Sequence, residues 1–244
     1  MIIKQLKKSN PFQFKQFTIH HDRCAQKVGT DGVLLGAWTN VENTRHIIDI
    51  GTGSGLITLM LAQRCPQATI LGIDICENAA SQAKENIGNS LFAEKVSIEH
   101  ISVQDFAKEN QHVFDVAVAN PPFFANSLLS PSRERTLARH TETLSLASLF
   151  SSAAQLLSGS GRFSLIYPFD NLAETLDCAH ENGFFLQRQT TVFPTPNARP
   201  KRVLLEFSKQ RQPSPRYEKL VIEMERHRYS DDFKALVKDF YLKL

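Results

Sequence analysis

The chain has 244 residues, 42% hydrophobic and 22% charged, which is enough for one well-cored α/β domain with small attached elements. Its opening, MIIKQLKKSNPF, lacks the apolar stretch of a secretory signal, and no run approaches the ~18 apolar residues of a membrane span. Cys24, Cys65, Cys76 and Cys178 form no CxxC pair, which argues against zinc ribbons, iron–sulfur clusters and disulfide scaffolds and fits a reduced cytoplasm.

Net charge is +3, unevenly placed. Residues 1–30 hold six Lys or Arg and one acid, and residues 186–244 hold thirteen against seven. Residues 31–110 hold five against ten, and residues 111–185 hold four against seven. A basic head and tail around an acidic middle suit a polyanion held by the ends, or an ordinary solvated surface.

Residues 10–21 alternate imperfectly around Phe12, Phe14 and Phe17 and read as a short strand or hairpin. Thr30 or Asp31 then caps a helix carrying Val33, Leu34, Leu35, Ala37 and Trp38. Residues 46–51 are a strand of the buried parallel type, running into Asp49-Ile50-Gly51-Thr52-Gly53-Ser54-Gly55 and a helix from Leu56. Glycines at 51, 53 and 55 permit a tight turn and the close approach of a ligand. The spacing is GxGxG rather than the GxGxxG of dinucleotide folds, and no Lys-Ser/Thr pair makes it a phosphate-binding Walker loop.

A second strand, 68–74, ends at Asp74, placed to accept from ribose hydroxyls or to cap the following helix. A third, 96–102, leads to Asp105, either a cap or a contact to a ligand adenine. A fourth, 114–119, leads to Asn120-Pro121-Pro122-Phe123. This β-α-β alternation predicts an open, doubly wound sheet, in which ligands sit at the carboxyl ends of strands. Asp49, Asp74, Asp105 and Asn120 all fall at such ends.

Asn-Pro-Pro-Phe is either a strand closed by a rigid turn or a holder for a planar amine. Asn120 and Pro121 offer two carbonyl acceptors, and Phe123 offers a stacking face. An exocyclic amine conjugated to a ring is a poor nucleophile. Two fixed acceptors favour its tetrahedral, positive transition state over the planar ground state.

The polar stretch after Phe123 carries Arg133, Arg135, Arg139 and His140, and reads as a loop that closes over a substrate and contacts phosphates, or as solvated chain. Beyond it come a helix over 144–158 ended near Gly159, a strand over 161–168 and a helix over 170–182. Strands 184–193 and 202–208 read as an antiparallel pair on the sheet edge. The remainder is a basic strand or loop and a short final helix. No internal boundary stands out, so the chain reads as one domain: an extension over 1–40, a core over 41–209 and a basic segment over 210–244.

The ordered set Asp49-Ile50-Gly51-Thr52-Gly53-Ser54-Gly55, Asp74, Asp105 and Asn120-Pro121-Pro122-Phe123 resembles the amino-methylating class I S-adenosylmethionine-dependent methyltransferases. The stretch Lys27-Val28-Gly29-Thr30-Asp31-Gly32-Val33-Leu34-Leu35-Gly36-Ala37-Trp38 and the Arg199-Pro200-Lys201-Arg202 hairpin are similar to a narrower family, the bacterial tRNA(Val) adenine-37 N6-methyltransferases. The resemblance implies a Rossmann-like α/β fold with a seven-stranded mixed sheet, S-adenosyl-L-methionine as cofactor and tRNA as substrate. It implies Gly51, Gly53 and Gly55 beside the cofactor's methionine and ribose, Asp49 near its amino group and Asp74 on the ribose. Ile75 and Phe106 would flank its adenine, Asp105 would accept from that adenine, and Thr30 or Asp31 would close the pocket. Asn120, Pro121 and Phe123 would hold the target base, and Arg199, Lys201 and Arg202 would join the three loop arginines on RNA. No metal is needed, and a cytoplasmic monomer is expected.

The same device serves guanine N2 amines, protein glutamine amides and DNA bases. The charge distribution ranks RNA adenine first, ribosomal guanine second and protein glutamine third. An inactive RNA-binding relative and a nicotinamide-dependent oxidoreductase are the other classes. The intact Asn120 and glycine loop speak against the first, and the glycine spacing against the second.

Overall fold

A computed structural model describes residues 10–122 and 144–244. Its centre is a mixed eight-stranded sheet. The strands are β3 (His46–Ile50), β4 (Thr69–Asp74), β5 (Val96–His100), β6 (Phe114–Ala119), β7 (Leu157–Pro168), β8 (Phe185–Phe193), β9 (Arg202–Ser208) and β10 (Arg216–Val221). They lie in the order β10-β8-β9-β7-β6-β3-β4-β5. Only β9 runs against the others in this sheet.

The central strands are apolar on both faces because both are covered. Ile47, Val116 and Val118 join one core cluster with α1 (Thr30–Trp38), α2 (Leu56–Arg64) and α3 (Glu77–Gly88). Their neighbours Ile48, Ala117 and Ala119 join the other, with α4 (Val103–Glu109), α5 (Leu146–Leu156) and α6 (Leu172–Glu181). Successive strand residues point to opposite faces, so a two-sided core demands an unbroken apolar run. Helices α1 and α2 approach closely because Gly36 has no side chain: a Cβ there would stand 2.8 Å from Met60 Sδ.

The sheet departs from the expected seven strands. Arg216–Val221, read as a basic strand or loop, pairs in parallel with β8 and becomes the edge. The β8–β9 pair is antiparallel as expected but lies inside that edge. Strand β7 starts at Leu157, straight out of α5, rather than at residue 161. A bulge explains this: Phe114 pairs with Leu157 and Val116 with Arg162, so Asp115 alone faces residues 158–161, and Gly159 sits in the excursion rather than ending a helix.

The chain ends meet. A hairpin of β1 (Phe12–Gln13) and β2 (Thr18–Ile19) leads to Phe14, which bridges to Tyr241 with their rings 5.9 Å apart. The N–H of Lys15 donates to the Phe240 carbonyl at 2.8 Å. A second hairpin, β11 (Glu223–Glu225) with β12 (Arg228–Tyr229), precedes α7 (Asp231–Val237), which packs on α1.

Candidate active site

The glycine loop between β3 and α2 forms one wall of a cleft at the carboxyl ends of the strands. Gly51, Gly53 and Gly55 all have positive φ, at 73°, 57° and 80°. A Cβ on Gly51 or Gly53 would meet nothing within 4 Å, whereas on Gly55 it would stand 3.1 Å from Ile87 of α3. Gly51 and Gly53 therefore leave open space for a ligand. Gly55 also lets α3 pack against the loop.

The loop is fixed from below. The N–H groups of Gly51 and Thr52 both donate to the Ile73 carbonyl, at 2.9 and 3.0 Å. Asp74 Oδ2 accepts from the Gly53 N–H and Oδ1 from the Cys76 N–H, each at 2.8 Å. Asp74 thus ties the loop to the start of α3, and each oxygen keeps lone-pair capacity for a hydroxyl. The N-cap of α3 is Cys76, not Asp74.

Asp49 lies fully buried, and its Oδ2 accepts from the Thr58 N–H at 3.2 Å and hydroxyl at 2.7 Å. Burial raises its pKa to about 6 against the opposing effect of those bonds. Asp49 does not line the cleft, although its Oδ1 has no partner.

The cleft has a volume of about 420 Å³ and is lined by Thr30, Gly51, Gly53 and Asn120, which the sequence singles out. Asn120 Oδ1 is buried and, among the described residues, has no hydrogen-bond partner. A buried orphan acceptor is costly, and an N–H donor from a ligand would satisfy it. Pro121 is buried beside it and Pro122 exposed. Phe123, Arg133, Arg135, Arg139 and His140 lie outside the described residues.

The opposite wall contains Thr30 and Asp31, one of which was expected to close the pocket, together with residues that the sequence did not single out. Gln26, Lys27, Gly29, Asp31 and Gly32 line it, at and before the start of α1. The helix is capped by Gly29, not by Thr30 or Asp31. Asp31 is drawn instead to Arg202, whose Nε donates to Oδ2 at 2.7 Å. Arg202, expected on RNA, is therefore half-buried and clamps α1 to β9. Arg199 and Lys201, in the same hairpin, are exposed. Asn86 is a further contributor that local reading missed. Its amide donates to the Ser54 and His20 carbonyls, both at 2.8 Å, which joins the glycine loop to the N-terminal segment.

At the neighbouring strand ends, Ile75 is 63% exposed, as an apolar surface for a flat ligand would be. Asp105 is exposed but engaged. Ser102 Oγ donates to one oxygen and Lys108 Nζ to the other, both at 2.7 Å, which holds its pKa down. Phe106 is not a cleft residue. It is buried on the inner face of α4 against Phe114. A larger hollow, about 540 Å³, lies between the first hairpin and α3, but its Arg23 and Glu85 are paired with each other and it is away from the strand ends.

A methyltransferase small domain model matches residues 24–168. The chain belongs to this methyltransferase family. It is 46% identical over 237 residues to the tRNA1(Val) (adenine(37)-N6)-methyltransferase of Parabacteroides distasonis, which covers 97% of this chain and 100% of that protein. It is 47% identical over 236 residues to the Phocaeicola vulgatus protein of the same name, covering 96% and 99% of the two chains. Among solved structures, a predicted O-methyltransferase from Agrobacterium tumefaciens shares the fold at a TM-score of 0.67 and 19% identity, covering 86% of this methyltransferase and 96% of that chain. Geranyl diphosphate C-methyltransferase from Streptomyces coelicolor, in complex with S-adenosyl-L-homocysteine, does so at 0.51 and 13%, covering 68% and 71%.

Proposed function

We infer that this chain is an S-adenosylmethionine-dependent methyltransferase acting on the N6 amine of adenine 37 in a valine tRNA. The observation that carries the chemistry is the buried Oδ1 of Asn120, without a partner among the described residues, in the cleft beside Gly51 and Gly53. Full-length likeness to relatives of that name supports the substrate.

The open space over Gly51 and Gly53 and the free lone pairs of Asp74 fit the cofactor's methionine and ribose. Exposed Ile75 offers an apolar face for its adenine. When bound, S-adenosylmethionine supplies an electrophilic methyl group. Asn120 Oδ1 and the Pro121 carbonyl hold the target amine by its two N–H groups. As the nitrogen gains positive charge these acceptors bind it more strongly, which lowers the barrier without a base strong enough to deprotonate the amine first. Holding nitrogen and methyl at about 3–3.5 Å in line supplies the remaining advantage. Phe123 is proposed to stack on the base, and Arg133, Arg135, Arg139, Arg199 and Lys201 to contact RNA. An anticodon-loop base is already partly unstacked, so its extrusion costs less than from a duplex.

Among the described residues no helix is long and apolar enough to cross a membrane, and no group of three or more His, Cys, Asp or Glu could share a metal ion. We propose a single-domain, metal-independent monomer working in the cytoplasm. The test is methyl transfer from labelled S-adenosylmethionine to tRNA, ribosomal RNA and protein taken from cells lacking this gene. Label recovered from tRNA as N6-methyladenosine is expected. Label in ribosomal guanosine or in glutamine would overturn the substrate but not the fold.

A further inference from the structure

The edge of the sheet carries an uncovered ledge. On the face that packs against α1, Thr190, Val192 and Leu220 are buried. On the other face, Gln189, Thr191 and Phe193 of β8 alternate with them, beside Tyr217, Lys219 and Val221 of β10. None of these six is buried and none is acidic. The helical cover buries Val203, Leu205 and Phe207 of β9 fully against α5 and α6 and reaches the start of β8 at Leu186, short of these six residues. The carboxylate of β10, Glu218, points the other way, where it accepts from the Thr190 hydroxyl at 2.6 Å and pairs with Arg216 at 2.7 Å.

Two side chains on the ledge are presented outward. Tyr217 is 66% exposed. Lys219 is steadied by Phe193, with its Nζ 4.5 Å from the ring centre. Among the described residues Lys219, Arg199 and Lys201 form no ion pair. The ledge runs without a break into the Arg199–Lys201 hairpin. The Lys201 N–H donates to the Val192 carbonyl at 3.0 Å, and the Ile222 N–H to the Phe193 carbonyl at 2.9 Å. From there Arg202 reaches Asp31 in the cleft wall. Strand β10 lies four strands from β6, so about 19 Å separates the ledge from the strand that carries Asn120.

We propose that this ledge is a docking surface for the tRNA substrate, on which an unpaired base stacks on Tyr217 while Lys219 meets a phosphate. An acid-free sheet face with an exposed aromatic ring and an unpaired lysine is the combination that holds single-stranded nucleic acid. Arg216 and Lys219 also place charge along the edge, which opposes strand addition by a second copy. The proposal rests on the tRNA reading above.

The test measures the affinity of the full chain for unmodified tRNA, with Tyr217→Ala, Tyr217→Phe and Lys219→Gln beside the unaltered protein. Tyr217→Ala is expected to weaken tRNA binding about tenfold and raise KM for tRNA, with kcat and cofactor affinity unchanged. Tyr217→Phe should retain binding. Lys219→Gln should lower the slope of log affinity against log salt by about one. Unchanged tRNA affinity in Tyr217→Ala would overturn the ledge while leaving the functional reading intact. So would a change in sedimentation mass without a change in RNA affinity, which would assign the edge to a second copy. Absence of tRNA binding by the unaltered protein would overturn both.

Discussion

Asn120 and Asp49 each have a buried oxygen without a partner among the described residues, yet they face different problems. Asn120 opens on the cleft, where a ligand can satisfy it. Asn120→Ala is expected to lower kcat by about 10²–10³, the usual cost of a lost transition-state partner, while cofactor affinity stays nearly intact. Equal losses in both, by single-turnover rate and calorimetry, would remove the acceptor role. Asp49 is closed in, and its pKa of about 6 against an ordinary 3.8 means that the folded state binds more protons between those values. Stability therefore falls as pH rises through that window and levels off above it, by about 3 kcal/mol at most. Asp49→Asn is expected to gain stability over the unaltered protein at pH 8 and not at pH 4. Urea unfolding at the two pH values measures this, and an equal difference at both would contradict it.

Strand β4 shows how an element supports the loop above it. Gly72 is flanked so closely that a Cβ would stand 2.6 Å from Ile98 Cδ1 and 2.9 Å from Thr52 Oγ1. Ile98 can turn aside, but Thr52 is held to Thr58 at 2.8 Å. Gly72→Ala is expected to cost about 1–3 kcal/mol and to weaken cofactor binding through the displaced loop. Thermal melting with and without S-adenosylmethionine reads both effects. A glycine inside a strand signals such close approach, so this residue was open to detection from sequence. The β3–loop–α2 unit, Asp74 and Asn120 were legible for the same reason: each is announced by residues within a few positions of it. The clamp between Asp31 and Arg202 was not, because its partners lie 171 residues apart. Asn86 reaches His20 across 66 residues, with no local sign of it. The inward turn of Phe106 was not legible either, because a single turn of sequence does not say which side of a seven-residue helix is buried.

Over the whole molecule, the two chain ends share one patch of core. Phe240 is 2% exposed, and its carbonyl holds Lys15. Phe240→Ala is expected to cost about 3–5 kcal/mol and to speed amide exchange in residues 12–20 well before α5, which packs in the core cluster on the opposite face of the sheet. Uniform acceleration across all strands would show instead that the ends and the core unfold together.

The packing of α7 on α1 has a consequence for the order in which this protein is made. Ribosomes deliver α1 well before α7, at about 5–20 residues per second. Until then the helix that walls the cleft lacks one of its supports, and Asp31 waits for Arg202. The glycine loop and Asn120 emerge before both. A nascent chain at that stage presents the chemistry-bearing loop beside a wall still short of two of its braces.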